Sequence, residues 1–197
     1  YLILTLLLIS SCGVMPTKKS QQDKASYKFQ FVLDSIYKSN PKSIGIMVHV
    51  EAPNKDISWS GAVGVSNKNT KMVLQADQPV LIASNTKSYV SATILRLIEQ
   101  GKLDLSHPIE GLLTNTTKKL LESDGYNLKE ITIANLLSHT SGISDYANEN
   151  YLNKIDSIPK HRWTRNEQMK MAIDLYEPLG NASDTFNYAD FNYLILT

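Results

Sequence analysis

The spacing of apolar residues changes once along this chain, and that change limits the folds open to it. Ile44, Ile46, Val48 and Val50 alternate with Gly45, Met47 and His49, the two-residue repeat of a strand with one buried face. Pro53-Asn54-Lys55-Asp56 reads as a turn and Ile57 to Val65 as a second strand, so the spacing predicts a β-hairpin. Its glycines, Gly61 and Gly64, mark close packing or a bulge. From Ser84 onward the repeat is helical. Val90, Ile94, Leu97 and Ile98 share one face, with Gly101 at the stop position. Thr132 caps a short helix carrying Ile133, Leu136 and Leu137. Thr164-Arg165-Asn166-Glu167 has capping-box spacing ahead of Met169, Ala172, Ile173 and Tyr176, and Pro178 with Gly180 ends that run. Before the hairpin, Phe29, Val32, Leu33 and Ile36 predict an amphipathic helix that stops before Pro41. Helix, strand pair, then mostly helices is the order of an α+β protein.

Composition narrows the function classes. The 197 residues are 42% hydrophobic, enough for one good core or two small ones. Twenty Lys plus Arg against nineteen Asp plus Glu leave a net charge of +1, which excludes a global field for nucleic acid. The low hydrophobicity and high charge of a disordered chain are both missing. The single cysteine, Cys12, excludes an internal disulfide and a cysteine-rich zinc site. His49, His107 and His161 are scattered without ligand spacing, so neither metal nor cofactor is expected.

The chain opens with Tyr1 and a run from Leu2 to Ile9 that is apolar but for Thr5. It falls short of the roughly 20 residues that span a bilayer but suits the apolar region of an export signal. The basic residues that precede such a region are absent, so residues 1–11 read as a truncated lipoprotein signal peptide. Ile9-Ser10-Ser11-Cys12 resembles a bacterial lipobox, which implies cleavage before Cys12, lipidation of its thiol and attachment to a membrane of the cell envelope. An ordinary signal with an incidental cysteine, or a buried strand, are the alternatives. Pro16 to Ser26 lacks apolar periodicity, so residues 12–26 read as anchor and solvated tether, and 27–197 as the folded domain.

Ser84-Asn85-Thr86-Lys87 sits just before a strong amphipathic helix. If Ser84 opens that helix, Lys87 lies one turn on and the two side chains share a face. A hydroxyl there sits in positive potential that favours a developing alkoxide. A desolvated lysine can accept or relay its proton, and the serine N–H can serve as an oxyanion donor. Spacing alone is weak, since Ser35/Lys38, Ser39/Lys42 and Ser157/Lys160 share it. Ser35 lies inside the first predicted helix, and the other two pairs each contain a proline. Only Ser84 combines an apolar lead-in, Val80 to Ala83, with a following helix.

The surrounding text, LIASNTKSYVSATILRLIEQGKLDLSHPIEGLL, resembles the nucleophile region of the serine β-lactamase and penicillin-binding protein superfamily, above all class C β-lactamases with their carboxypeptidase and esterase relatives. ITIANLLSHTSGISDY resembles its His-Thr-Ser-Gly signature, and PLGNASDTFNYADFNYLILT the segment carrying its catalytic tyrosine. The resemblance implies a β-lactamase/transpeptidase-like fold, an antiparallel sheet flanked by helices with a mostly helical subdomain. It implies a serine hydrolase that acts through an acyl-enzyme on small-molecule or peptide-like amides or esters. Ser84 would be the acylated nucleophile, Lys87 its proton-relay partner and Tyr188 the base or second relay. Tyr146 and Tyr151 fit Tyr-x-Asn better by letter but follow the signature too closely, whereas Tyr188 precedes the apolar run from Asn192 to Leu196. His139 is structural by the same resemblance, against the alternative of a Ser–His–Asp triad. Ser141 and Gly142 belong to the same site-supporting signature.

Asp190 stands where asparagine is typical of the family. An amide donates a hydrogen bond to a substrate carbonyl, whereas a carboxylate only accepts, and a carboxylate beside Lys87 favours its ammonium form. Weak β-lactam hydrolysis with ester or peptide-like substrates is therefore expected. The superfamily's third element, Lys or His shortly followed by Gly on a strand, has no match, so the chain reads as a fragment with an incomplete sheet, inactive by itself. A catalytically poor penicillin-binding or sensor domain, and a structural envelope lipoprotein, are the competing readings.

Overall fold

The computed structural model describes residues 18–197, which form two compact units divided after Leu81. The expected signal at 1–11, Cys12 and the start of the tether lie outside the described residues.

The first unit consists of helix α1 (Lys18–Ser39) and an antiparallel hairpin, β1 (Gly45–Ala52) and β2 (Ile57–Gly64). The helix starts earlier than the sequence suggests: residues 18–26, read as a solvated tether, are helical. The reason is a long-range contact. The Gln22 side chain donates to the Ser58 carbonyl at 2.6 Å and accepts from the Ser58 N–H at 3.3 Å, so β2 holds a helical turn that has no apolar stripe. Further along, Phe29 packs on Trp59 with ring centroids 5.4 Å apart, and Leu33 is buried. Val32 and Ile36, expected on the buried face, are exposed. The Asn40 side chain donates to the Ile36 carbonyl, and Pro41 follows, ending α1 where expected.

The hairpin pairs residue for residue from Gly45 with Gly64 to Ala52 with Ile57. Its glycines therefore mark close packing rather than a bulge: a Cβ at Gly61 would overlap the Trp59 indole. The Pro53–Lys55 turn closes through Asp56, whose N–H donates to the Pro53 carbonyl from a left-handed backbone.

The second unit contains α2 (Thr86–Glu99), α3 (Asn115–Ser123), α4 (Ile133–Leu137), α5 (Glu149–Ser157), α6 (Arg165–Leu175) and α7 (Asp190–Leu196). Helix α2 ends as the sequence requires. Gly101 takes φ 67°, its N–H donates to Ile98, and Lys102 N–H reaches back to Leu97, a Schellman closure. The expected capping box forms at Thr164 with Glu167, and Thr132, expected as a simple cap, also forms a box with Asn135. Thr114 and Asn148 cap α3 and α5 with their side-chain oxygens, two helices that apolar spacing did not reveal. Ile109, Leu121, Leu128, Leu136, Met169 and Phe191 belong to one buried cluster. That cluster fixes α4, α6 and α7, and the last of these carries Asp190 and Tyr193.

Candidate active site

Ser84 lies in a single 3₁₀ turn, Ala83–Asn85, rather than in the first turn of α2, which begins at Thr86. The turn runs into the helix without a break, because Asn85 and Thr86 both have right-handed helical backbone. Ser84 therefore stays beside the N-terminus of α2, and Lys87 follows one turn on. Ala83 takes φ 44°, a left-handed conformation that costs a non-glycine residue about 1–2 kcal/mol. Strain is thus stored directly before the candidate nucleophile.

A cavity of about 290 Å³ opens at this point, lined by Ser84, Lys87, Tyr146, Asp190 and Tyr193 among others. A larger, mainly apolar cavity of about 340 Å³ lies among Leu97, Leu113, Leu136 and Met169, and it holds neither Ser84 nor Lys87. The chemistry belongs to the first. There the Lys87 ammonium pairs with the Asp190 carboxylate, the two side chains 15% and 30% exposed. It also faces the Tyr188 ring, with Nζ 4.9 Å from the centroid. Burial alone lowers the pKa of Lys87, but hydrogen bonding to Asp190 and Tyr188 and their charges outweigh it, so the net shift is upward. Among the described residues no hydrogen bond joins Ser84 to Lys87. In this state the lysine is a held cation, not a free base.

His139 positions the tyrosine segment. Its Nδ1 accepts the Ala189 N–H at 3.1 Å, its carbonyl accepts the Asn187 N–H at 2.8 Å, and its ring stacks on Tyr188 at 4.4 Å. With Nδ1 accepting, the neutral ring carries its proton on Nε2. Burial and the Lys87 charge hold His139 below the usual histidine range. Each of these contacts is structural, and none involves Ser84.

Ser141 and Gly142 support the site from behind and do not line the cavity. Ser141 donates to the buried Asn192 side chain at 2.6 Å and accepts the Ile143 N–H. Gly142 has φ 72°, and a Cβ there would run into the Gly180 carbonyl oxygen. Asp145 accepts the Phe191 N–H near the start of α7.

The structure adds residues that the motif reading missed. Tyr146, read as a loop aromatic beside the signature, forms a wall of the Ser84 cavity, and burial with the Asp190 charge pushes its phenol well up. Tyr193 lines the same cavity, and Asn192 is buried behind it against Ser141 and His139. The apolar run after Tyr188 hinted at a helix there, but nothing local marked these two polar groups. Among the described residues no group of three or more His, Cys, Asp or Glu side chains is arranged to hold a metal ion.

A family model described as Beta-lactamase matches residues 35–197. The serine beta-lactamase-like protein LACTB, mitochondrial, of Bos taurus is 31% identical over 102 residues, which cover 52% of this chain and 18% of that protein. Esterase EstB of Burkholderia gladioli is 31% identical over 96 residues, 49% of this chain and 24% of the esterase. The D-amino acid amidase of Ochrobactrum anthropi SV3 superposes with a TM-score of 0.66 at 21% identity, covering 86% of this chain and 42% of the amidase. The chain thus spans less than half the length of these relatives, and the last of them establishes the shared fold.

Proposed function

Since the chain belongs to the Beta-lactamase family, we propose that it works as a serine hydrolase on ester or amide bonds, with Ser84 as nucleophile. The observation carrying this reading is that Ser84, Lys87 and Asp190 line one cavity with the Tyr188 ring against the lysine. Ser84 Oγ attacks the carbonyl carbon of the acyl donor, and the carbonyl π pair moves onto oxygen. Lys87 in its neutral form, together with Tyr188, relays the Ser84 proton to the departing alkoxide or amine as its bond to the carbonyl carbon breaks. Water then attacks the acyl-Ser84 ester, giving the free acid and returning a proton to Ser84.

Asp190 biases the choice of substrate. It offers an acceptor where a β-lactam side-chain carbonyl requires a donor, so esters and peptide-like amides are favoured over β-lactams. The test is active-site labelling of the full-length protein. A fluorophosphonate is expected to label Ser84 and to leave Ser84→Ala unlabelled; equal labelling of both proteins overturns the assignment.

The Lys87–Asp190 pair also favours a second reading, an acyl-enzyme that forms and then persists. A lysine held as ammonium is a poor base for activating the deacylating water. A stable adduct on Ser84 without steady-state turnover selects it. We also propose export and lipid attachment at Cys12, supported by Ile9-Ser10-Ser11-Cys12 alone. Incorporation of radiolabelled palmitate, abolished in Cys12→Ser, tests that.

A further inference from the structure

Behind Lys87 stands a second aromatic ring that the hydrolytic reading leaves without a role. Tyr193, in α7, places its ring centroid 5.6 Å from Lys87 Nζ, within the range of a cation–π contact. Its hydroxyl is held on two sides. It donates to the Leu137 carbonyl at 3.1 Å, at the end of α4, and shares a 2.8 Å hydrogen bond with the Ser91 hydroxyl on α2. The ring also packs on His139 at 5.2 Å, and the residue lines the Ser84 cavity. Three helices therefore fix this ring, and it faces the one cation among the side chains that line the cavity.

We propose that Tyr193 is a positioning residue that, together with the Tyr188 ring and the Asp190 carboxylate, holds the Lys87 ammonium at the floor of the Ser84 cavity. This rests on the assignment of Ser84 and Lys87 to catalysis. A structural tyrosine needs only somewhere to bury its ring and a partner for its hydroxyl, and Leu137 alone supplies that partner. The second hydrogen bond, to Ser91, ties the ring to the helix that bears Lys87. A residue of α7 is thereby locked to a residue four positions along α2 from the lysine. The groups facing Lys87 are Asp190 and Tyr193 on α7, Tyr188 in the preceding loop and His139 on the signature loop. Tyr146 forms another wall of the same cavity. Of these, Tyr193 can be changed in ring electronics without touching an ion pair or the proton relay.

The experiment weakens the π face of that ring without changing its shape. In the full-length protein, Tyr193→Phe serves as reference, and phenylalanines carrying one, two or three fluorines then replace residue 193. The Lys87 titration is followed by the NMR shift of its ε-carbon and by the pH profile of Ser84 acylation with a fluorophosphonate. A cation–π contact of ordinary strength corresponds to a fall of about half a unit to one unit across the series, with each fluorine adding to it. A fluorotyrosine at the same position, its hydroxyl retained, repeats the test with the tether intact. Overlapping titrations throughout the series overturn the proposal, since a ring that merely packs does not respond to fluorine. Failure of the wild-type protein to label at Ser84 removes the hydrolase reading and this role together; labelling with an unmoved titration removes this role alone.

Discussion

The Asp190 carboxylate closes on the Lys87 ammonium, joining the first residue of α7 to the first turn of α2. The pair fixes the distance between two segments that the sequence keeps 103 residues apart, and it determines the charge state of the site. Both side chains are largely withdrawn from water, so the interaction is screened less than a surface pair would be. Lys87, raised above the ordinary lysine value, contributes stability that is fully present below that value and is lost as pH rises through the raised pKa.

Asp190→Asn separates the two consequences of this pair. The amide retains a weaker acceptor for Lys87 and gains a donor toward the substrate. Acylation by a chromogenic cephalosporin is expected to rise by about tenfold, the effect of roughly 1.4 kcal/mol in the transition state. Hydrolysis of a neutral aryl ester is expected to change by less. The Lys87 limb of the pH profile moves to lower pH. Steady-state kinetics on both substrates check this, and an unchanged ratio between them removes Asp190 as the source of selectivity.

His139 makes a prediction in the opposite direction of pH. Its pKa is held below the usual 6.5, chiefly by burial and then by the Lys87 charge. A group depressed in this way lends stability that is present above about 6.5 and is lost as pH falls through the folded value. Protonation puts a hydrogen on Nδ1 and expels the Ala189 N–H, so the loop carrying Tyr188 opens first. Amide exchange at Asn187 and Ala189 is expected to accelerate on acidification before the core does. His139→Asn suits the left-handed backbone at φ 58° and keeps a side-chain acceptor, so it is expected to be milder than His139→Ala.

Gly142 and Gly125 form a matched pair. Both have positive φ, but a Cβ at Gly125 meets nothing within 4 Å, whereas one at Gly142 runs into the Gly180 backbone. Gly125→Ala should cost about 1 kcal/mol, the conformational penalty alone. Gly142→Ala should cost more than about 2 kcal/mol, because two loops must part. Urea unfolding of the two variants measures the difference directly.

The sequence disclosed most where the determining contacts are local. The caps at Thr132 and Thr164 and the Gly101 stop each depend on neighbours a few residues away, whereas Ile44 and Val48, expected on a buried strand face, are exposed. The helical turn around Gln22 could not be read, because what holds it is the Ser58 backbone 36 residues on. Ser84 and Lys87 stood out from three other pairs of the same spacing only through the apolar lead-in and the helix that follows, and Tyr188 through the order of its surroundings. Tyr193 and Asn192 were not. They work through Ser91, Leu137, Ser141 and His139, all more than 50 residues away, and a tyrosine or asparagine in an apolar helix carries no mark of such partners.

Asn192 supplies the last prediction. It is fully buried, accepting from the Ser141 hydroxyl at 2.6 Å through Oδ1 and placing Nδ2 3.3 Å from His139 Nδ1. Asn192→Ala leaves the Ser141 hydroxyl without its partner and opens a void, so a loss of about 2–4 kcal/mol is expected. Asn192→Asp is the sharper change. The carboxylate still accepts from Ser141, but it now faces a ring nitrogen that already accepts from Ala189, and two acceptors meet with no proton between them. Relief comes from a proton taken up between the two groups, on Nδ1 or on the new carboxyl, so the pair should bind that proton at a higher pH than wild-type His139 does. The variant should therefore gain stability as pH falls over the range where the wild type loses it. Thermal melts of both proteins across pH 5 to 8 would show the two slopes with opposite sign; parallel slopes would mean that residue 192 and His139 do not titrate as a pair.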